Sequence, residues 1–288
     1  MSTPERSVWS SATHERKVEN FYGQGAENFG DHHDGYLNFG LWDDGITDFQ
    51  LAAENLVQRM GELLGLDSDS RLLDVACGMG TQDVYLMRNF APATIDGLDV
   101  TWKHVEHGRR RAAEAGLEDR IHFHHGTATE IPFPDNSFSH LLSIEGTVHF
   151  DTRRKFLGEA FRVLEPGGVV GITDYSLKRE PRTAVERFFV GLVCRLWKVP
   201  KENAITSKVY EEQLREAGFA EIDLKEIGAL TIPGYYREQR RPETIAQNAK
   251  IRGFVAGRLG TIIDIVLYRT FRMGLIEYVM ARAVKPSR

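Results

Sequence analysis

Alternating strand-like and helix-like segments between Arg71 and Thr173 predict an α/β fold, a parallel sheet with helices on both faces. Three observations carry this reading. Five short apolar runs recur with βα connections between them, and the first run ends in a glycine-rich turn. The chain, at 288 residues, is long enough for one large α/β domain or two small ones. No internal repeat, low-complexity tract or Pro- or Ser-rich linker divides it.

Residues 1–50 are rich in aromatics, Gly and Asp and show little periodicity. Leu51, Leu56, Val57, Met60, Leu63 and Leu64 then recur at helical spacing, and Gly65 stops that helix. Arg71–Ala76 is the first strand, a helix covers Thr81–Arg88, and Ala93–Asp99 is the second strand. Trp102–Ala115 reads as a charged surface helix, Ile121–His124 as the third strand and Phe138–Ile144 as the fourth. Asp151 is the expected N-cap of the next helix. Pro166-Gly167-Gly168 is read as a turn feeding the fifth strand, Val169–Thr173. Beyond it, residues 176–207 contain Phe188–Val193 and Leu196-Trp197, too apolar for an exposed loop. Residues 230–272 hold Pro233, Tyr235 and Tyr236, then a helical pattern through Ile263, Ile265, Val266, Leu267 and Phe271. Between these segments lie a helix near Tyr210–Ala217 and a strand near Ile222–Ile227, and Ile276–Val284 alternates as a last strand.

Composition excludes several classes. With 42% hydrophobic and 27% charged residues the balance is that of a globular protein. The net charge of −5 lacks the global basic field of nucleic-acid or anionic-membrane binding, although a local patch stays open. Cys77 and Cys194 are the only cysteines, so a disulfide framework is excluded and a reducing, cytoplasmic setting is expected. The polar start MSTPERSVWSSATHERK has no signal-peptide core, and FFVGLVCRLW is broken by Arg195 before it approaches a membrane span.

The residues Leu72-Leu73-Asp74-Val75-Ala76-Cys77-Gly78-Met79-Gly80 carry the chemistry. A strand enters a turn with two glycines and leaves it as a helix, and glycine lets backbone approach a ligand closely at the C-terminal end of a parallel strand. Asp99 follows nineteen residues after Gly80, at the end of the next strand. A carboxylate there suits a pair of ribose hydroxyls, because it offers acceptors only. The position where a dinucleotide site needs its third glycine is Asp83. Its charge would repel a pyrophosphate, which argues against NAD(P) or FAD, whereas S-adenosylmethionine has no phosphate and Asp74 would favour its cationic end.

The segments LLDVACGMG (72–80), IDGLDVT (95–101), HHGTATEIPFPDNSFSHLLSIEGTVHF (124–150) and RVLEPGGVVGITDY (162–175) resemble the class I S-adenosylmethionine-dependent methyltransferases in order and spacing. The closer resemblance is to the small-molecule enzymes acting on sterols, tocopherol precursors, macrolides and other natural products, and YLNFGLWDDG (36–45) supports it. The resemblance implies a Rossmann-like seven-stranded, mostly parallel sheet whose last strand is antiparallel. It implies one methyltransferase domain over 1–288, with an N-terminal cap at 1–50, a cofactor core at 71–175, helical lid insertions at 176–207 and 230–272, and the last strand within 274–288. Cofactor contacts are expected from Asp74, Ala76, Gly78, Gly80, Asp99, Val100, Thr101, Trp102, Thr127, Ala128 and Glu145, closed over by Tyr22, Tyr36 and Trp42 of the cap. Two positions depart from the family: Ala76 replaces the first glycine of the turn, and Thr127 replaces the usual acid after the third strand. Thr127 still offers a hydroxyl and Ala128 an amide to adenine, while Trp102 either covers the adenine face or is a partly buried helix-start residue.

Methyl transfer from a sulfonium is an in-line displacement, so positioning supplies much of the rate and a base is needed only where the acceptor loses a proton. His149, after the fourth strand, is a base, a positioning group or a packed histidine. Glu145 either holds the methionine ammonium or the substrate, stabilises a carbocation, or bonds local backbone amides. The apolar stretches 188–197 and 261–271 line a lipophilic acceptor pocket, pack on each other, or form a dimer contact. Asp31-His32-His33-Asp34 looks like a metal set but has no regular element to fix its geometry, His122 and His124 have no Cys or carboxylate at a matching interval, and Arg109-Arg110-Arg111 reads as a solvated helix face. The leading reading is an S-adenosylmethionine-dependent methyltransferase giving S-adenosylhomocysteine and acting on a small, lipophilic natural-product acceptor through oxygen or carbon. The alternative is a non-methylating cyclase of the same fold. The acidic charge and the lack of an Asn/Asp-Pro-Pro-Tyr segment disfavour a nucleic-acid methyltransferase, and a pure binding protein would fail to take the cofactor.

Overall fold

A computed structural model describes residues 13–23, 35–43 and 45–287. Seven strands form one sheet: β1 (Arg71–Val75), β2 (Thr94–Asp99), β3 (Ile121–His125), β4 (Phe138–Ile144), β5 (Leu164–Leu177), β6 (Ala220–Glu226) and β7 (Ile276–Val284). Their spatial order is β3-β2-β1-β4-β5-β7-β6. The pairings from β3 to β5 are parallel, and β7 runs antiparallel to both of its neighbours. The alternation read from the sequence is therefore the alternation of the fold.

Period-two patterning divides the core. Within β1, Leu72 faces one hydrophobic cluster while Leu73 and Val75 face the other. On the first face lie α2 (Phe49–Leu64), α3 (Thr81–Phe90) and α4 (Trp102–Glu114); on the second lie α5 (Arg153–Val163) and α7 (Ser207–Glu216). The remaining helices are α1 (His14–Gly23), α6 (Ala184–Leu196), α8 (Gly228–Gln239), α9 (Pro242–Arg252) and α10 (Phe254–Arg272). The Asp48 side chain caps α2 by accepting from the Leu51 amide, and left-handed Gly65 ends it. Thr183 and Glu186 form a reciprocal capping box that starts α6.

Two local expectations change, at Asp151 and at residues 166–168. The N-cap of α5 is Thr152 rather than Asp151. The segment Pro166-Gly167-Gly168 belongs to a strand that starts at Leu164: the β4 pairing jumps from Phe138↔Leu164 to His140↔Val169, so these residues bulge outward instead of preceding the strand. Residues 228–239 are helical despite Pro233, because packing of the cap against this helix outweighs the one backbone bond that proline removes.

The strand end that carries the site is fixed from behind by a buried polar network. Arg153 and Asp174 are fully buried and 2.7 Å apart, and the guanidinium also lies 4.5 Å from the Tyr210 ring centroid. Asn203 accepts from the Arg153 amide at 2.9 Å and donates to the carbonyls of Val148 and Phe150 at 3.0 and 2.8 Å. Thr147 donates to Asp174. The helical turn Thr147–His149 is thus clamped to β5 and to the turn at Lys201–Asn203. Replacing Arg153 by Ala leaves Asp174 as an uncompensated buried charge. The Arg153→Ala variant should lose about 3–5 kcal/mol of unfolding free energy, read by urea denaturation.

Candidate active site

The C-terminal ends of β1, β2, β4 and β5 open into a cavity of about 220 Å³. Parallel strands place ligands at this edge because loops and helix N-termini converge there. Its floor is the turn after β1, where Ala76 and Gly78 adopt φ of 66° and 58°. Ala76 in place of glycine is tolerated because Gly146 faces it: a methyl group on Gly146 would approach the Ala76 Cβ to 2.5 Å. Gly80, at φ 74°, meets the Phe123 ring rather than the cavity, so its lack of a side chain serves helix packing.

Asp99 organises the next wall. Its two oxygens accept from the Gly78 amide at 3.0 Å and the Thr101 amide at 2.7 Å, and the buried His104 ring lies 3.4 Å from Oδ1. Those bonds aim the carboxylate and leave lone pairs for hydroxyl donors. Val100, Thr101, Thr127 and Ala128 line the cavity beside it. The Thr127 hydroxyl accepts from the Thr129 amide at 3.3 Å.

Besides Gly80, two more expected cofactor residues lie off the cavity. Asp74 is fully buried beneath the turn, where it accepts from Gln82 and faces Asp83. Burial pushes Asp74 up to about 7, and burial with Asp74 beside it raises Asp83 well above its ordinary value. Asp83 is fully buried and does not line the cavity, so the repulsion ascribed to it in the sequence is not exerted on a ligand there. Trp102 is half-buried outside the cavity, edge-on to His125 at 5.5 Å with Arg109 5.3 Å away, and does not cover the cavity wall. Arg109 also donates to the Phe123 carbonyl at 2.8 Å while remaining exposed.

The far end holds Glu145 and His149. Glu145 sits at φ 58°, and its Oε1 accepts from the Phe39 amide at 2.7 Å and the Tyr278 hydroxyl at 2.8 Å. These partners come from the cap strap and from β7, not from neighbouring amides. Burial pushes its carboxyl up to about 8, against the pull of those two donors. His149 is buried, with Nε2 2.8 Å from the Tyr22 hydroxyl, and the His14 side chain of the same helix α1 donates to its carbonyl oxygen at 2.8 Å. Burial, reinforced by His14, pushes the imidazole down to about 4, so the ring is neutral at neutral pH.

Opposite the glycine turn, Phe39, Tyr175, Trp197 and Tyr235 form an aromatic wall. Phe39 stacks on Tyr235 with centroids 3.6 Å apart, and it approaches Tyr175 and Trp197 at 5.2 and 5.5 Å. Tyr36 lines the cavity, whereas Trp42 packs behind it over Gly234 and donates to the Phe39 carbonyl. Sequence patterns do not single out His104, Phe39, Tyr175 or Tyr235. Only a run such as YLNF, with aromatics three positions apart, marks the cap as something other than a surface loop.

Two candidate metal clusters resolve differently. His122 is exposed and His124 bonds Asp96 at 2.7 Å, while Asp31–Asp34 lies outside the described residues. Among the described residues no group of three or more His, Cys, Asp or Glu is arranged to hold a metal ion.

A seven-stranded sheet of this order, with a glycine cradle and an acidic β2 end at one cavity, defines a class I S-adenosylmethionine-binding enzyme. The cradle fits the cofactor: Gly78 carries no Cβ at the floor, and Asp99 faces the same space. Residues 72–168 match a methyltransferase domain. The chain is 33% identical over 214 residues to erythromycin 3''-O-methyltransferase of Saccharopolyspora erythraea, covering 70% of this chain and 69% of that one. It is 28% identical to 27-O-demethylrifamycin SV methyltransferase of Amycolatopsis mediterranei, over 74% of this chain and 77% of that one. Among solved structures, the [4+2]-cyclase SpnF superposes with a TM-score of 0.75 at 27% identity, covering 95% of this chain and 97% of that one. The chain belongs to the S-adenosylmethionine-dependent methyltransferases of small molecules. It transfers a methyl group from that cofactor to a small organic acceptor and releases S-adenosylhomocysteine.

Asp99→Ala should weaken S-adenosylmethionine binding by about 1.5–3 kcal/mol in calorimetry, the scale of hydrogen bonds to a charged group. Trp102→Ala should leave that affinity nearly unchanged. Glu145 predicts a pH effect of definite sign. Folded, it keeps its proton up to about 8, whereas the unfolded carboxyl loses it near its ordinary value of 4.5, so its contribution to stability falls as pH rises between those values. Glu145→Gln should abolish that contribution, seen by comparing urea midpoints of both proteins at pH 5 and pH 8.

Proposed function

We propose that the chain methylates a hydroxyl oxygen of a lipophilic natural product, with His149 as general base and Tyr22 beside it. One observation carries this reading: a hydroxyl, that of Tyr22, already lies 2.8 Å from Nε2 of a neutral buried imidazole facing the cavity. That geometry suits an acceptor hydroxyl at the same nitrogen. When bound, S-adenosylmethionine supplies an electrophilic methyl group held on a sulfonium. Asp99, with Val100, Thr101, Thr127 and Ala128, would hold the nucleoside end; Ala76 and Gly78 would give it a flat floor; Tyr36 would close over it.

His149 takes the proton of the acceptor oxygen, and the neutral ring needs no prior deprotonation. The aromatic wall of Phe39, Tyr175, Trp197 and Tyr235 excludes water and favours an apolar acceptor body. Residues 176–207 and 230–272 act as lids because they contribute Trp197 and Tyr235 to that wall. Glu145, uncharged at neutral pH, acts as a tie between cap and sheet more than as an ammonium ligand. The likeness to an erythromycin and a demethylrifamycin methyltransferase supports a natural-product acceptor. The free cysteines support a cytoplasmic setting, and no helix among the described residues is long and apolar enough to cross a membrane.

The likeness to SpnF supports a second reading, a cyclisation that leaves the cofactor unchanged. Mass spectrometry with methyl-deuterated S-adenosylmethionine and a panel of hydroxylated lipophilic metabolites separates the two. A labelled ether supports the proposal; an isomerised, unlabelled product supports cyclisation; label on carbon would overturn the oxygen assignment. His149→Ala should retain cofactor affinity and lower kcat by roughly 100-fold or more, in the range of general-base loss. The acid limb of kcat/KM for the unaltered enzyme should fall near about 4 rather than near the usual histidine value of 6.5.

A further inference from the structure

Helix α6 is apolar on two opposite faces. Its inner face gives Val190, Val193 and Cys194, which with Leu177, Leu267 and Ile276 line a second, apolar cavity. Tyr175 and Trp197 border both this cavity and the active site. Its outer face carries Val185, Phe188 and Leu192, at the spacing of one helical stripe, with Val185 60% and Phe188 63% exposed. Ile262 of the adjoining helix α10 is 54% exposed.

Charge accompanies this stripe. Residues 178–208 carry eight Lys and Arg against three Asp and Glu, in a chain whose overall balance is −5. Lys178 is paired with Glu277 and Arg179 with Glu186. Arg187, Arg195, Lys198 and Lys201 are exposed and have no acidic partner among the described residues. Arg195 falls on the same face of α6 as Phe188 and Leu192. Apolar side chains at the centre and free cations at the rim are the complement of an anionic bilayer surface, which takes the former among its acyl chains and the latter at its headgroups. A second copy of the same patch would instead set these cations against each other.

We propose that the outer face of α6, with the exposed edge of α10, docks on anionic lipid bilayers and places the Trp197 side of the active site at the membrane, where a lipophilic acceptor is concentrated. The delivery role rests on the acceptor class proposed above; the docking does not, and the two are measured separately. The full-length protein is floated with phosphatidylcholine vesicles with and without phosphatidylglycerol. It should bind the phosphatidylglycerol vesicles only, and high salt should weaken binding by roughly tenfold through screening. Phe188→Ser, and the pair Arg187→Glu with Arg195→Glu, should each weaken binding by roughly tenfold. Both change exposed side chains, so melting temperatures should not move. No flotation with anionic vesicles, equal flotation with both kinds, or binding indifferent to these variants would overturn the proposal. So would a dimer in sedimentation that Phe188→Ser dissolves, because the patch would then belong to a second copy. Lack of methyl transfer to lipophilic acceptors despite flotation would count against the acceptor reading alone.

Discussion

Arg153 and Asp174 form an ion pair with no exposed surface, and the site leans on it. Such a pair contributes little net stability once the cost of taking both charges out of water is counted. Its value here is positional. Asp174 lies on β5, Arg153 begins α5, and Asn203 bridges from Arg153 to the carbonyls around His149. Each polar group in the network uses a direction that packing alone would leave free. The turn that presents His149 therefore stands at one place relative to β4 and β5, even though only three residues of it are helical.

How much of this is legible in the sequence depends on where each interaction partner lies. Strands β1, β2, β4 and β7 and helices α2 to α4 are readable because their apolar periodicity is local, and their observed limits fall within two residues of the expected ones. The glycine turn and Asp99 are readable for a related reason: one βαβ unit holds both. Arg153–Asp174 spans 21 residues and Arg153–Asn203 spans 50, so no window of sequence displays them. The limits of helix α8 are not readable, because it carries Pro233 and its support comes from Trp42 of the distant cap, whose amide donates to the Leu230 carbonyl. Asp83 shows a different failure. Its place after the turn is read correctly, but not its burial: Asp83 is enclosed and does not line the cavity, which no local spacing displays.

The two candidate catalytic groups illustrate the same dependence. Glu145 and His149 are four positions apart, and burial moves them in opposite directions, each toward its uncharged form. An apolar aromatic wall is compatible with them only in those forms. A neutral imidazole and a protonated carboxyl put no fixed charge beside an acceptor body.

The Phe39–Tyr235 stack joins two parts of the chain nearly two hundred residues apart, and Trp42 seated over Gly234 locks the same pair a second time. Whoever wishes to retarget this enzyme to a new acceptor inherits that coupling. Grafting the strap 36–43 from a relative without its matching helix 228–239 would import one half of a joint. The natural unit of exchange is the pair, and the glycine turn with Asp99, which belongs to neither segment, can stay as it is.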